Sequence, residues 1–362
     1  MAVSVNATRS HAAGQKQPVK PAGRLKVLWI REPYLSQILA GRKTIEVRVG
    51  YENIRRLQPR DRLKLNDRHL ATIQRIGRYA SLEELLDQED AAAIAPDLAP
   101  QALLAALREL YPPEKEALGV VALKVAPRRY DAVLFDMGHT LVHFDPPEMA
   151  IIQMAMRDSG IERSVEEIGT AVQLVWGEYY RDAATATFAA TPDHDHQTQL
   201  RLMRGLLDQL GLRVDDEVLE AYEGLIDARF SQPGVMRPFP EVENVLAALQ
   251  QRGYRLGIVS NWSWNLRDRV AQVALDGFFE IVWASAYAGC NKPHPGIFFQ
   301  ALVQMDLSAG RTLYVGDSYA HDVVGARSAG LDVVLLDRKG SAGEPDCPVV
   351  GDLWGLFDLL GE

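Results

Sequence analysis

Residues 131–141 read DAVLFDMGHTL: four consecutive apolar residues, Ala132 to Phe135, run straight into Asp136 and a short loop. An apolar run this short, with no alternation, is the signature of a strand buried on both faces. The same unit recurs at 256–259, 281–283, 312–315 and 333–336, each run bounded by stretches of helical period. That alternation predicts a doubly wound, Rossmann-like parallel α/β sheet. Between the first two runs the chain is mostly helical in period from 148 to 230, too long for a crossover. A helical cap inserted over about residues 146–235 is expected there.

In open α/β sheets ligands bind at the carboxyl ends of the strands. The runs end in Asp136, in Ser260 and Asn261, and in Gly316 and Asp317 with Asp322 five residues on, while Lys292 lies in a loop between. A carboxylate, a hydroxyl, an ammonium and further carboxylates belong together on a small phosphate ester. Asp136 attacks phosphorus, Ser260, Asn261 and Lys292 hold the phosphoryl oxygens, Lys292 offsets charge, and Asp317 holds Mg²⁺.

Four segments, VLFDMGHTL (133–141), IVSNW (258–262), NKPHPGIF (291–298) and YVGDSYAHD (314–322), in this order, resemble the haloacid dehalogenase (HAD) superfamily over 131–362. The resemblance implies a hydrolase, with Mg²⁺ bound by Asp136, by the main-chain carbonyl of Gly138 and by Asp317, and with Asp322 ligating or supporting. The family's phosphatases carry a second aspartate two residues after the nucleophile; this chain has Gly138 there, then His139 where glycine is usual. Loss of such a general acid lowers rates by about 10²- to 10⁴-fold. Three readings follow. The first is a phosphatase in which a good leaving group, His139 or a cap residue makes that aspartate unnecessary. The second is an RNA-binding or regulatory protein with a weakened HAD domain. The third is a metal-independent 2-haloacid dehalogenase, against which GDSYAHD keeps two carboxylates suited to a cation. Trp176, Tyr179, Tyr180 and Arg181 of the cap either pack inside its bundle or face the site and select substrate. His194 and His196, in PDHDHQ, read as a solvated turn.

Residues 24–126 read as a separate small α+β unit with an unusual charge. Between Arg24 and Arg78 there are 14 Lys and Arg against 5 Asp and Glu, although the whole chain carries −9. A basic module on an acidic remainder points to phosphate-bearing partners for the former. In GRKTIEVR, Thr44, Glu46 and Arg48 share one face of a strand and Lys43 stands at its entrance, making either a solvent face or a lined groove. WIREPYLSQILAGRKTIEVR (29–48) and YPPEKEALGVVALKV (111–125) resemble the ASCH domain, a small PUA-like β-barrel associated with RNA. The resemblance implies RNA or nucleotide binding by Arg31, Arg42, Lys43, Glu46 and Arg48. Some members are amidohydrolases acting on N4-acetylcytidine through a Lys and a Thr; Lys43 matches, but Glu46 stands at the Thr position.

The chain has 362 residues, enough for two domains, and the five-residue join 126–130 leaves them little independent reach. Two cysteines, Cys290 and Cys347, exclude a disulfide scaffold and point to a cytoplasmic setting. No apolar run reaches the roughly 18 residues of a membrane span, and residues 1–23 read as a flexible tail.

Overall fold

The computed structural model describes residues 25–361; the tail expected over 1–23 lies outside the described residues. Strands β1 (Leu25–Leu28), β2 (Ile45–Val49), β3 (Arg62–Leu65), β4 (His69–Tyr79) and β5 (Val120–Pro127) form one mixed sheet in the order β1-β3-β4-β5-β2. β1 runs parallel to β3 and the other pairs are antiparallel. β4 is long enough to pair on both sides, and a register shift between Ile73 and Arg75 bends it. The edge strands β1 and β2 make no ladder with each other. Instead Arg48 of β2 donates to the Trp29 carbonyl just beyond β1 at 2.6 Å, a side-chain bridge across the gap that a closed barrel would zip with backbone. Both faces of the sheet are covered, one by a core around Ile38, Leu57 and Ile73, the other around Leu82, Leu85 and Leu103. The solvent-face reading of β2 is therefore overturned: Glu46 and Lys43 are buried.

The second half begins at Asp131, which is 3% exposed. Its carboxylate accepts from the Leu70 amide at 2.7 Å and from Arg311 Nε and a terminal guanidinium nitrogen at 2.6 and 2.8 Å, and pairs with His69 Nδ1 at 2.8 Å. One side chain thus fastens β4 of the first sheet to the second.

The later strands are β6 (Ala132–Phe135), β7 (Val142–Phe144), β8 (Met236–Pro238), β9 (Arg255–Ser260), β10 (Ile281–Ala284), β11 (Thr312–Gly316), β12 (Asp332–Leu336) and β13 (Val349–Val350). Six of them form an all-parallel sheet in the order β10-β9-β6-β11-β12-β13. β6, the run quoted first, lies inside it and is wholly buried, as its lack of alternation requires. β13 has two residues, too few to leave a sequence signal. β7 and β8 pair antiparallel where the chain leaves for the cap and returns from it.

The cap comprises helices Glu148–Asp158, Val165–Tyr179, Pro192–Gln209 and Asp216–Phe230, closed around Met156, Ile168, Leu206 and Ile226. The turn expected at PDHDHQ is instead the first turn of the third helix. Thr191 caps it by accepting from the His194 amide, and Pro192 takes a first-turn position where its missing N–H costs nothing.

Candidate active site

Because β9, β6 and β11 are adjacent and parallel, their carboxyl ends deliver Ser260, Asp136 and Asp317 to one place. Asp136 Oδ1 accepts from Ser260 Oγ at 2.8 Å and from Lys292 Nζ at 2.5 Å; its Oδ2 accepts no hydrogen bond from the described residues. Lys292 also donates to Asp322 Oδ1 at 2.6 Å and to the Tyr314 hydroxyl at 3.0 Å, so its three hydrogens are all committed. Burial works against its charge, yet Asp136 and Asp322 outweigh that and raise its pKa, keeping it an ammonium. Tyr314 is a site residue the sequence reading missed. Its signal was a lone hydroxyl-bearing aromatic in the apolar strand TLYVG, and it donates to the Val259 carbonyl at 2.8 Å.

The amide of Asn261 is spent on the Lys292 main chain, accepting from its N–H at 2.7 Å and donating to its carbonyl at 3.0 Å. Its side chain thus holds the lysine loop in place, with one amide hydrogen left over. Asp322 is likewise engaged at both oxygens, the second accepting from the Ser318 amide at 2.9 Å.

Oxygens of Asp136, Asp317 and Asp322 lie within 4.8 Å of one another, balanced by the single ammonium of Lys292. Three hard oxygen donors with surplus negative charge fit a divalent cation such as Mg²⁺. Desolvation in the cleft, then the charges of Asp136 and Asp322, push Asp317 up to about 7, the mark of a carboxylate short of a counter-ion.

At Gly138 an added Cβ would meet Trp262 at 3.6 Å, an ordinary contact, so the space for a longer residue begins open. His139 adopts φ +54°, the left-handed region where glycine is favoured. Its Nε2 lies 3.2 Å from Glu148 Oε1 at the start of the first cap helix, which ties the loop after β6 to the cap.

A cavity of about 190 Å³ lies between cap and sheet, walled by Trp176, Tyr179, Tyr180, Phe188 and Trp262 and reaching Asn261 and Asn291. Three of the four cap residues singled out in the sequence thus line this cavity; Arg181 is exposed and does not. His194 also lines the cavity, stacked on Phe188 with centroids 5.2 Å apart, while His196 is exposed.

The first half has its own pocket, about 170 Å³, lined by Arg31, Lys43, Glu46 and Arg48 among apolar and aromatic residues including Trp29, Tyr34 and Tyr111. Glu46 sits between Lys43 Nζ at 3.2 Å and an Arg48 terminal nitrogen at 2.9 Å. Lys43 donates to the Ile45 and Ile94 carbonyls at 2.7 and 2.6 Å, and burial lowers its pKa against the pull of Glu46. Arg48 Nε is buried without a hydrogen-bond partner among the described residues. Arg42, expected with this group, lies outside the pocket and pairs with Asp97 at 2.8 Å.

Similarity to known proteins covers both halves. Residues 130–330 match the family model of haloacid dehalogenase-like hydrolases, and residues 28–129 match the ASCH domain. The chain is 28% identical to haloacid dehalogenase-like hydrolase domain-containing protein 3 of Bos taurus, over 60% of this chain and 84% of that protein. It is 31% identical to a glyceraldehyde 3-phosphate phosphatase of Methanothermobacter thermautotrophicus, over 38% of this chain and 65% of that protein. Among solved structures, a HAD-hydrolase of Bacillus subtilis superposes with a TM-score of 0.53 at 22% identity, over 65% of this chain and all of that one. With a family model spanning more than half of its length, and with the strand ends converging as described, the chain belongs to the haloacid dehalogenase-like hydrolases and carries an ASCH domain ahead of that unit.

Proposed function

We propose that the chain is a phosphatase acting through an aspartyl-phosphate at Asp136, with a divalent cation, Mg²⁺, as cofactor. The observation that carries this is the state of the Asp136 carboxylate: one oxygen fixed by Ser260 and Lys292, the other free of hydrogen bonds from the described residues. A carboxylate held in one orientation with an unencumbered oxygen is a prepared nucleophile. Its Oδ2 forms the bond to phosphorus, the ester oxygen departs with its electron pair, and water then releases phosphate and regenerates the carboxylate. Lys292 offsets the charge gathered on phosphorus, and Ser260 fixes Asp136 and stands within reach of the phosphoryl oxygens. Asp136, Asp317 and the Gly138 carbonyl would hold Mg²⁺, with Asp322 in support; the ion supplies charge neutralisation of the phosphoryl group. Similarity to a curated phosphatase at 31% identity supports the reaction class.

The first half, 24–126, is assigned RNA or nucleotide binding, and the second, 131–362, the chemistry. The pocket around Glu46 and Arg48 has the size of one base, with Trp29 exposed at its rim as a stacking surface. No described helix is long and apolar enough to cross a membrane, and the two free cysteines accord with a cytoplasmic setting. The rival reading, a binding protein with a weakened hydrolase half, draws on Gly138. Release of p-nitrophenol from p-nitrophenyl phosphate with Mg²⁺, compared with Asp136→Asn, decides between them. No Asp136-dependent turnover across a panel of phosphate esters would end the phosphatase reading.

A further inference from the structure

The missing acid and the aromatic cavity constrain the same part of the substrate. Phosphoryl transfer from a monoester passes through a loose transition state in which the leaving oxygen carries much of the developing charge. An alkoxide needs a proton at that moment, and the position that would give one is Gly138. An oxygen whose conjugate acid is a phenol departs unaided.

Next to Gly138, the Trp262 ring stands over the loop and forms one wall of the cavity shared with Trp176, Tyr179, Tyr180 and Phe188. Its volume, about 190 Å³, exceeds the roughly 150 Å³ that accommodates a benzene molecule in an engineered protein cavity. Five aromatic walls favour a planar ring, which gains offset or edge contacts beyond its buried area. Two residues of the cavity wall, Asn261 and Asn291, are the chain neighbours of Ser260 and Lys292, and Asn291 is fixed by donating to the Tyr179 hydroxyl at 3.0 Å. On its cap side Asp195 accepts from the Trp264 amide at 2.8 Å, and His194 lies stacked on Phe188.

We infer that the substrates are aryl phosphates, with the aryl ring seated in this cavity and Trp176 and Trp262 selecting it. The inference rests on the phosphatase reading. The Asp136–phosphorus bond forms as the aryl oxygen–phosphorus bond breaks, and the electron pair leaves on a phenoxide that takes its proton from solvent. Water then adds to phosphorus, the bond to Asp136 breaks, and the water's protons pass to phosphate and solvent.

The test compares phenyl phosphate, benzyl phosphate and acetyl phosphate with the full chain in Mg²⁺ buffer, with Asp136→Asn as the blank. Phenyl and benzyl phosphate both carry a ring, but only benzyl leaves as an alkoxide. The wild type is expected to turn over phenyl phosphate at least about 10²-fold faster than benzyl phosphate, and Gly138→Asp to narrow that gap by raising kcat for benzyl phosphate. Trp176→Ala is expected to lower the phenyl-to-acetyl ratio of kcat/KM by about tenfold, chiefly through KM. Asp136-dependent hydrolysis of acetyl phosphate with phenyl no better than benzyl overturns the aryl assignment and leaves the phosphatase reading standing. An unchanged phenyl-to-acetyl ratio in Trp176→Ala overturns the seating of the ring. Absence of Asp136-dependent turnover on all three compounds overturns both.

Discussion

Each half of the chain buries a lysine beside a carboxylate, and the two clusters are out of balance in opposite directions. Around Lys292, one ammonium faces Asp136, Asp317 and Asp322. Around Lys43, one carboxylate, Glu46, faces two cations, Lys43 and Arg48. The first cluster lacks positive charge, the imbalance on which the proposed divalent cation rests. The second has a cation in excess and an Arg48 Nε with no hydrogen-bond partner among the described residues, which suits the acceptor-rich ligand proposed for it. The lysines differ too. Lys292 spends all three hydrogens on side chains of the site, whereas Lys43 is anchored to two main-chain carbonyls and shapes its pocket.

The largest effect that separates the clusters is at Asp136. Asp136→Asn is expected to lower phosphatase turnover by at least about 10³-fold, the scale of losing a covalent nucleophile, while leaving RNA affinity unchanged. A parallel fall in RNA affinity would show that the halves share one ligand. Next comes Lys292→Met, which leaves three carboxylates with no cation. Breaking a buried pair in this way costs about 3–5 kcal/mol in metal-free buffer, read by urea unfolding, and Mg²⁺ should restore part of it. If the loss is the same with and without Mg²⁺, the cluster is not short of charge.

Asp317 probes the same imbalance from the other side. In the wild type Mg²⁺ should raise Tm. Asp317→Asn, by removing one of the crowded charges, should raise Tm without the ion and abolish the response to it. The Lys43 cluster should give no such response, so a cation-dependent Tm that survives Asp317→Asn would move the ion elsewhere.

What the sequence disclosed follows the same division. The meeting of Asp136, Ser260 and Asp317 was legible because each stands at the end of a short apolar strand, and parallel adjacency then brings them together. For Asn261 the residue type says only that an amide is present; that both of its ends brace Lys292 is a property of the folded loop. The helix at PDHDHQ was missed since His and Asp are weak helix formers, and the Thr191 cap with Pro192 outweighed them. Arg42 and Lys43 are adjacent in the chain, yet one is exposed and paired with Asp97 while the other is buried. A charge count cannot separate them.

Between the clusters lies the fastening at Asp131. Burial pushes its carboxyl up, but Arg311, His69 and the Leu70 amide together hold it below the usual aspartate value. Asp131→Ala leaves Arg311 partly able to reach water, so the expected cost is about 2–3 kcal/mol. Because the folded pKa is depressed, the stabilisation is present above about pH 4 and is lost as pH falls through the folded value. The difference between wild type and variant in urea melts should therefore shrink on acidification; a constant difference would assign Asp131 a packing role.

The smallest effects test the pocket of the first half, where counting cations and reading the structure disagree. Counting makes Arg42, Lys43 and Arg48 equivalent phosphate ligands. The structure separates them: Lys43 is enclosed, Arg42 is exposed in a surface pair outside the pocket, and Arg48 lines the pocket with its Nε unpartnered among the described residues. Arg48→Gln should weaken single-stranded RNA binding, measured by fluorescence anisotropy, and reduce the slope of log K against log salt by about 0.7, one single-strand phosphate contact. Arg42→Gln should change affinity by no more than about 0.5 kcal/mol, as exposed pairs do. Lys43→Met should act through fold stability, since its charge already answers Glu46 and two carbonyls, and should leave the salt slope as it was. Equal slopes lost in Arg42→Gln and Arg48→Gln would mean that RNA runs across an open basic face and that the enclosed pocket is not where it is read.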